Sequence, residues 1–199
     1  MKLGQTSATV LLMVLFFNIP AFAIEPESSC QALQNWAAGL EKLPADYASY
    51  SELNDGQRLA VYQRLSSAER AHLWQEQMRE ALRSSAWEPA QRTLIDEVGR
   101  FVTTESVAAL RAGEGPAFEL AHREFRSLED RVKAAFPVED ARRLFFQLGR
   151  AGEVGALRLC NCNRDSLPCS TGFACGPAVC MPTEQGCGFL AQEACDGRC

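Results

Sequence analysis

The chain has 199 residues, of which 47% are hydrophobic and 9% aromatic, and its 20 Lys and Arg stand against 25 Asp and Glu for a formal net charge of -5. A nucleic-acid or anionic-membrane binder needs a basic face. The charges here are spread evenly, and from residue 160 on only Arg164 and Arg198 oppose Asp165, Glu184, Glu193 and Asp196, so no nucleic-acid partner is expected.

The first residues set the expected compartment. Met1 and Lys2 form a short positive start, Val10 to Phe17 is an unbroken apolar run, and Ala21-Phe22-Ala23 is a small-x-small cleavage site. This is the pattern of a secretory signal peptide over residues 1–23. The apolar run is too short for a membrane span, which needs roughly 20 residues. Cys30 lies beyond the cleavage point rather than at it, which argues against a lipid anchor. The mature chain is expected to be secreted, into the extracellular medium or the periplasm, where disulfides persist.

Residues 24–148 read as an all-α propeptide or carrier domain, rich in Ala, Leu, Glu, Arg and Gln. A first helix is predicted from Cys30 to Leu43, stopped before Pro44. Asp55 to Leu65 follows, with Leu59, Tyr62 and Leu65 on one face. Ser66-Ser67-Ala68-Glu69 is a capping box, in which the serine and the glutamate three residues on satisfy each other's N–H groups. The helix it opens places Ala71, Trp74, Met78, Ala81 and Leu82 on an apolar stripe, with Arg70, Gln77, Glu80 and Arg83 facing away. Pro89 reads as a first-turn proline, and Leu94, Ile95, Val98, Phe101 and Val102 give its helix an apolar face. Gly113-Glu114-Gly115-Pro116 is the next break. Phe118, Ala121, Phe125, Leu128, Val132 and Ala135 continue at helical spacing to Pro137, and a last helix with Leu144, Phe145 and Leu148 ends at Gly149. Six or so short helices around one core are expected.

The stretch from Gly149 to Leu159 loses the helical pattern, and Gly149, Gly152 and Gly155 mark it as a candidate processing linker. The grammar then changes. Cys160, Cys162, Cys169, Cys175, Cys180, Cys187, Cys195 and Cys199 follow the spacing C-x-C-x6-C-x5-C-x4-C-x6-C-x7-C-x3-C. Large apolar residues are few in this tail, and such a segment cannot bury a core that offsets its backbone entropy. Disulfides among the eight are expected to hold it instead, each contributing about 2–4 kcal/mol, with the helices folding independently of them. Zinc would want C-x2-C knuckles, which are missing.

Cys30 is the odd cysteine. Burial on a stripe with Leu33, Ala37 and Leu40, a dimer-forming bridge and a bond into the tail all remain open for it.

Catalytic signals are weak. His72 and His122 are the only histidines; "AHLWQE" lacks the second histidine of a zinc-protease helix, and no nucleophile elbow, phosphate-binding glycine loop or C-x-x-C redox pair occurs. The carboxylates of "LEDR" and "VEDAR" sit among basic neighbours and read as solvated helix faces. Trp36, Trp74 and Trp87 read as packing residues. No enzyme activity, cofactor or metal is expected.

The tail "CNCNRDSLPC", its five-residue gap to Cys175 and "PTEQGCG" after Cys180 resemble the bacteriocin fulvocin C-related family. "QRLAVYQRLSSAERAHLW", Gln57 to Trp74, is similar to the leucine-tryptophan segment of that family's helical region. The spacing departs from the family pattern around Cys180 and Cys195 and in the closing pair Cys195 and Cys199. The resemblance implies a fold that is mainly α followed by a small disulfide-rich, loop-dominated module. It also implies a bacteriocin-like precursor whose residues 160–199 act on an envelope component of target bacteria, with a processing protease and an immunity protein as partners. The alternative is an exported, disulfide-stabilised binding module, protease-inhibitor-like or adhesive, whose tail is never released; a structural envelope protein is a third.

Overall fold

The computed structural model describes residues 26–84, 86–149, 163, 176–177 and 183–198. The predicted signal peptide, Gly152, Gly155 and Cys160, Cys162, Cys169, Cys175, Cys180 and Cys199 lie outside the described residues. The fold is mainly α. Helices α1 (Pro26–Ala38), α2 (Tyr47–Ser51), α3 (Asp55–Arg64), α4 (Ser67–Arg83), α5 (Pro89–Phe101), α6 (Thr104–Ala112), α7 (Pro116–Ala135) and α8 (Val138–Ala141) are followed by a π-helical turn, Arg142–Phe146. Four short strands come after: β1 (Gly176–Pro177), β2 (Thr183–Cys187), β3 (Glu193–Cys195) and β4 (Gly197–Arg198). They pair antiparallel as β1 with β4 and β2 with β3, the latter with a register irregularity between Thr183 and Cys187.

The helix boundaries follow local chemistry. α1 stops at Ala38, short of the expected Leu43, where the Gly39 N–H turns back onto Asn35 and Trp36 and the Arg64 guanidinium donates to the Ala37 carbonyl. The Cys30 side chain, on α1, lies outside the described part. Asp46 caps the unforeseen five-residue α2, its carboxylate accepting from the Ser49 N–H at 2.9 Å. At α4 the expected capping box is present: Ser66 N–H donates to Glu69 at 2.8 Å and Glu69 N–H to the Ser66 hydroxyl at 3.3 Å. These bonds hold the Glu69 carboxyl below its ordinary pKa.

Pro89 opens α5 as expected. The run to Gly113 nevertheless breaks in two, because Thr103 and Ser106 form a further reciprocal cap, at 2.9 and 3.2 Å, that starts α6. Gly113, at φ +73°, then closes α6 in the left-handed conformation that glycine tolerates.

α4 is the central helix, packing on α5 and α6, while α7 covers both of these. Its stripe is buried as expected at Ala71, Trp74, Met78 and Ala81, and partly at Leu82. Leu94, Ile95, Val98, Phe101 and Val102 meet it from α5, and Ala121, Phe125, Leu128 and Val132 from α7. Each large apolar side chain removed from water in this way contributes roughly 1.5–3 kcal/mol. α4 and α5 approach closely at Gly99, where a Cβ would lie 3.3 Å from the Met78 Cβ. Trp74 is fully buried and Trp36 and Trp87 partly so.

Gln77 corrects the expected polar face of α4. It is only 4% exposed. Its amide nitrogen donates to the carbonyls of Leu144 and Gln147, both at 2.8 Å, and its oxygen accepts the Gly149 N–H at 2.7 Å. The side chain is polar because it terminates the π turn, satisfying backbone groups that no further helical turn can reach. Gly149, at φ +85°, is itself buried, and a Cβ there would meet the Arg58 side chain at 3.2 Å. The candidate linker therefore begins at an anchored residue. Glu80 and Arg83 do face solvent, as an exposed ion pair.

Replacing Gln77 by Ala orphans two carbonyls and one N–H in a buried site. The expected loss is about 2–4 kcal/mol of unfolding free energy in a denaturant titration, with earlier hydrogen exchange at Gly149. A loss below about 0.5 kcal/mol would count against the anchoring role.

Candidate functional site

The region singled out by sequence is the cysteine-rich tail. Of its cysteines, Cys187 and Cys195 are described, and they form a disulfide with Cα atoms 5.0 Å apart. The bridge closes the β2–β3 hairpin, whose tip, Gly188 to Gln192, carries a short 3-10 turn at Phe189–Ala191. Asn163 is tied to this hairpin, its amide donating to the Ala194 carbonyl at 2.9 Å.

The hairpin does not stand apart from the helices. Phe189, Leu190 and Ala191 belong to the same hydrophobic core as α3 to α7. Phe189 is 0% exposed. Its ring meets Phe125 of α7 edge-on at 5.1 Å and lies 5.5 Å from Phe146 and 6.2 Å from Phe145. Edge-to-face contacts continue outward from Phe145 to Phe136 and from Phe136 to Trp87. The π turn lets the consecutive residues Phe145 and Phe146 both reach Phe189, a use of wide turns common at functional sites. Among the described residues the hairpin tip builds no separate apolar core; it completes the core of the helices.

Backbone geometry at the tip fits this insertion. Leu190 and Ala191 adopt φ of +51° and +52°, a region that costs a non-glycine residue about 1–2 kcal/mol and persists only where the surroundings impose it. Gly186 and Gly188 allow the close approach. A Cβ on Gly186 would lie 2.5 Å from Leu59 Cδ1, and one on Gly188 would strike the Glu193 side chain.

Polar contacts aim the insertion. The Tyr62 hydroxyl donates to the Leu190 carbonyl at 3.3 Å and accepts from Trp74 Nε1 at 3.3 Å and Gln192 Nε2 at 3.1 Å. Gln63 donates to the Gln185 carbonyl at 2.6 Å. Arg70, expected to face solvent, is 2% exposed. It donates to Gln185 Oε1 at 2.6 Å and to the Leu65 and Gln63 carbonyls at 3.2 and 3.1 Å, while its guanidinium lies 4.5 Å from the Tyr62 ring centre. Burial pulls its pKa below the ordinary value.

Leu59, from the same predicted face of α3, packs on the buried disulfide. The face formed by Leu59, Tyr62 and Leu65 thus meets the tail at its first two positions and the helical core at the third.

A second correction concerns the "LEDR" carboxylates. Glu129 is 2% exposed rather than solvated. Arg126 pairs with it at 2.6 Å and Lys133 at 2.7 Å, and Arg126 also reaches Glu193 of β3 at 3.1 Å. One buried carboxylate therefore positions the arginine that holds the hairpin from the α7 side.

The histidines take no part in this constellation. His72 is exposed on α4, and His122 stacks on Phe118 at 5.1 Å. Among the described residues no group of three or more His, Cys, Asp or Glu gathers to hold a metal, and no helix is long and apolar enough to cross a membrane. Compared with known proteins, the chain matches no family model, no curated protein and no solved structure. The geometry of the docked hairpin thus carries the functional argument.

Two outcomes follow from this geometry. Burial raises the pKa of Tyr50 and Tyr62 above the ordinary phenol value, so both states keep these protons below about pH 10 and only the unfolded chain loses them above it. Stability is therefore full below about pH 10 and falls as pH rises further. In a Tyr47→Phe variant, phenolate absorbance should appear together with loss of the helical circular-dichroism signal; phenolate in an intact helical variant would contradict the buried hydroxyl network. Gly186→Ala should loosen the hairpin on α3 at a cost of about 1–3 kcal/mol. Mass-mapped labelling should then show Cys187 and Cys195 reduced faster by an external thiol than in the unaltered chain, and an unchanged rate would refute the close packing.

Proposed function

We propose that the chain is a secreted bacteriocin-like precursor, in which the helices act as the carrier of a C-terminal disulfide-rich peptide directed at the envelope of competing bacteria. The observation that carries this reading is the burial of Phe189. A carrier has to keep the active segment inert until delivery, and here the most apolar part of the described tail is enclosed by α3, α7 and the π turn. The resemblance of the cysteine spacing to the fulvocin C-related family supports the same reading. The acidic balance of the tail argues against a simple cationic membrane disrupter and favours a receptor-like envelope component as target.

The same burial favours one other reading. An element that completes a core can be a permanent part of it, which is what an exported binding module that never releases its tail would show. Rigid bridged loops lower the entropy lost on binding, so such a module would still present a good surface.

Intact mass of the culture supernatant separates the two, together with growth inhibition by the purified, oxidised peptide of residues 160–199. A released fragment that inhibits related bacteria is the expected result. The full mature chain alone, with no inhibition by the peptide, would leave the binding module standing.

A further inference from the structure

We infer that the helical body is a noncovalent clamp on the C-terminal hairpin, so that cutting the chain between them leaves the tail bound with its Phe189–Leu190 tip masked. The biological meaning rests on the precursor reading above, but the contact itself does not. A segment merely tethered to a carrier separates when the tether is cut. This one is held by three buried residues, Phe189, Leu190 and Ala191, and by polar contacts from three helices: Tyr62 and Gln63 of α3, Arg70 of α4 and Arg126 of α7. None of these contacts depends on the chain continuing from Gly149 into the tail.

The anchor at the cut end points the same way. Gln77 holds the Gly149 N–H and the Leu144 and Gln147 carbonyls, so the π turn that presents Phe145 and Phe146 to Phe189 keeps its own fastening after cleavage. The helices thus form a built site for a strained, disulfide-closed Phe-Leu hairpin tip. The occupant of that site is the tail of this chain, and the helical body serves as its inhibitory subunit in cis. Release then takes two steps, cleavage and undocking.

The test uses the full mature chain with a protease recognition sequence inserted after Gly152. After complete cutting, gel filtration in native buffer should give one peak containing both fragments, and a non-reducing denaturing gel of that peak should show two bands. Phe189→Ala should speed dissociation of the cut protein more than about a hundredfold. Gln192→Ala, which removes a half-buried side chain with its bonds to the Tyr62 hydroxyl and the Leu190 carbonyl, should speed it about three- to tenfold and covers the case in which Phe189→Ala fails to fold.

Immediate separation of the fragments in native buffer would overturn the clamp. A single band on the non-reducing denaturing gel would also overturn it, because a disulfide would then be the tether. If the clamp holds and the tail, once separated, fails to inhibit bacteria, the precursor reading fails while the contact stands.

Discussion

The structure turns on one side chain, Phe189. A cysteine-rich segment with few large apolar residues lacks the material for a core of its own, and the chain resolves this by placing its most apolar turn inside the core of the helices. The consequences run in both directions. α7, the π turn and α3 are shaped around the hairpin tip, and the tip accepts two left-handed non-glycine residues to fit them. Removing either partner leaves an aromatic-lined hollow that the other cannot close. The hairpin therefore belongs to the packing of the helices in a way that surface decoration does not.

Around this apolar contact lie groups that would be costly to bury alone. Arg70 and Glu129 are both almost fully enclosed, and a lone charge in such a site costs several kcal/mol. Each is matched. Arg70 meets carbonyls, an amide oxygen and an aromatic face; Glu129 meets Arg126 and Lys133. Paired buried charges add little net stability, but they punish any arrangement in which the partners are absent. In this fold the partners of Arg70 and Arg126 include Gln185 and Glu193 of the hairpin, so the polar groups discriminate the docked register from alternatives while the apolar tip provides the driving force.

What could be read from the sequence divides along the same line. Helices set by local signals were legible: the Ser66–Glu69 box, Pro89 at a first turn, the Gly113 to Pro116 break and the stripes of α4, α5 and α7 all depend on residues within a few positions of one another. Local pattern misleads where the deciding partner is distant in the chain. Arg70 and Gln77 look like solvent-facing residues of an amphipathic helix because the groups that satisfy them lie in the tail and in the π turn. Glu129 sits among basic neighbours whether its helix face is wet or buried, so local charge pattern could not tell the two apart. The split between α5 and α6 carried a readable sign, Thr103 followed by Ser106, that the apolar run obscured. The pairing of Cys187 with Cys195 has no local signature among eight cysteines, and the sharing of one core between tail and helices has only a faint one, the adjacent Phe189 and Leu190 in a segment with few large apolar residues.

Docking also orders the chemistry of the tail. Thiol–disulfide exchange needs a thiolate to reach a sulfur along an open path. Cys195 is 0% exposed and Leu59 covers the bridge from α3, so in the docked state neither oxidant nor reductant has that path. The bridge must form while the hairpin is off the helices, or during an opening that exposes it. The Cys187–Cys195 bridge closes the hairpin into the tight tip that the helical site accepts, with Gly186 set against Leu59 of α3. Packing against α3 thus protects the Cys187–Cys195 bridge once it has formed, which gives a chain with many cysteines a reason to fold its tail against a helical partner.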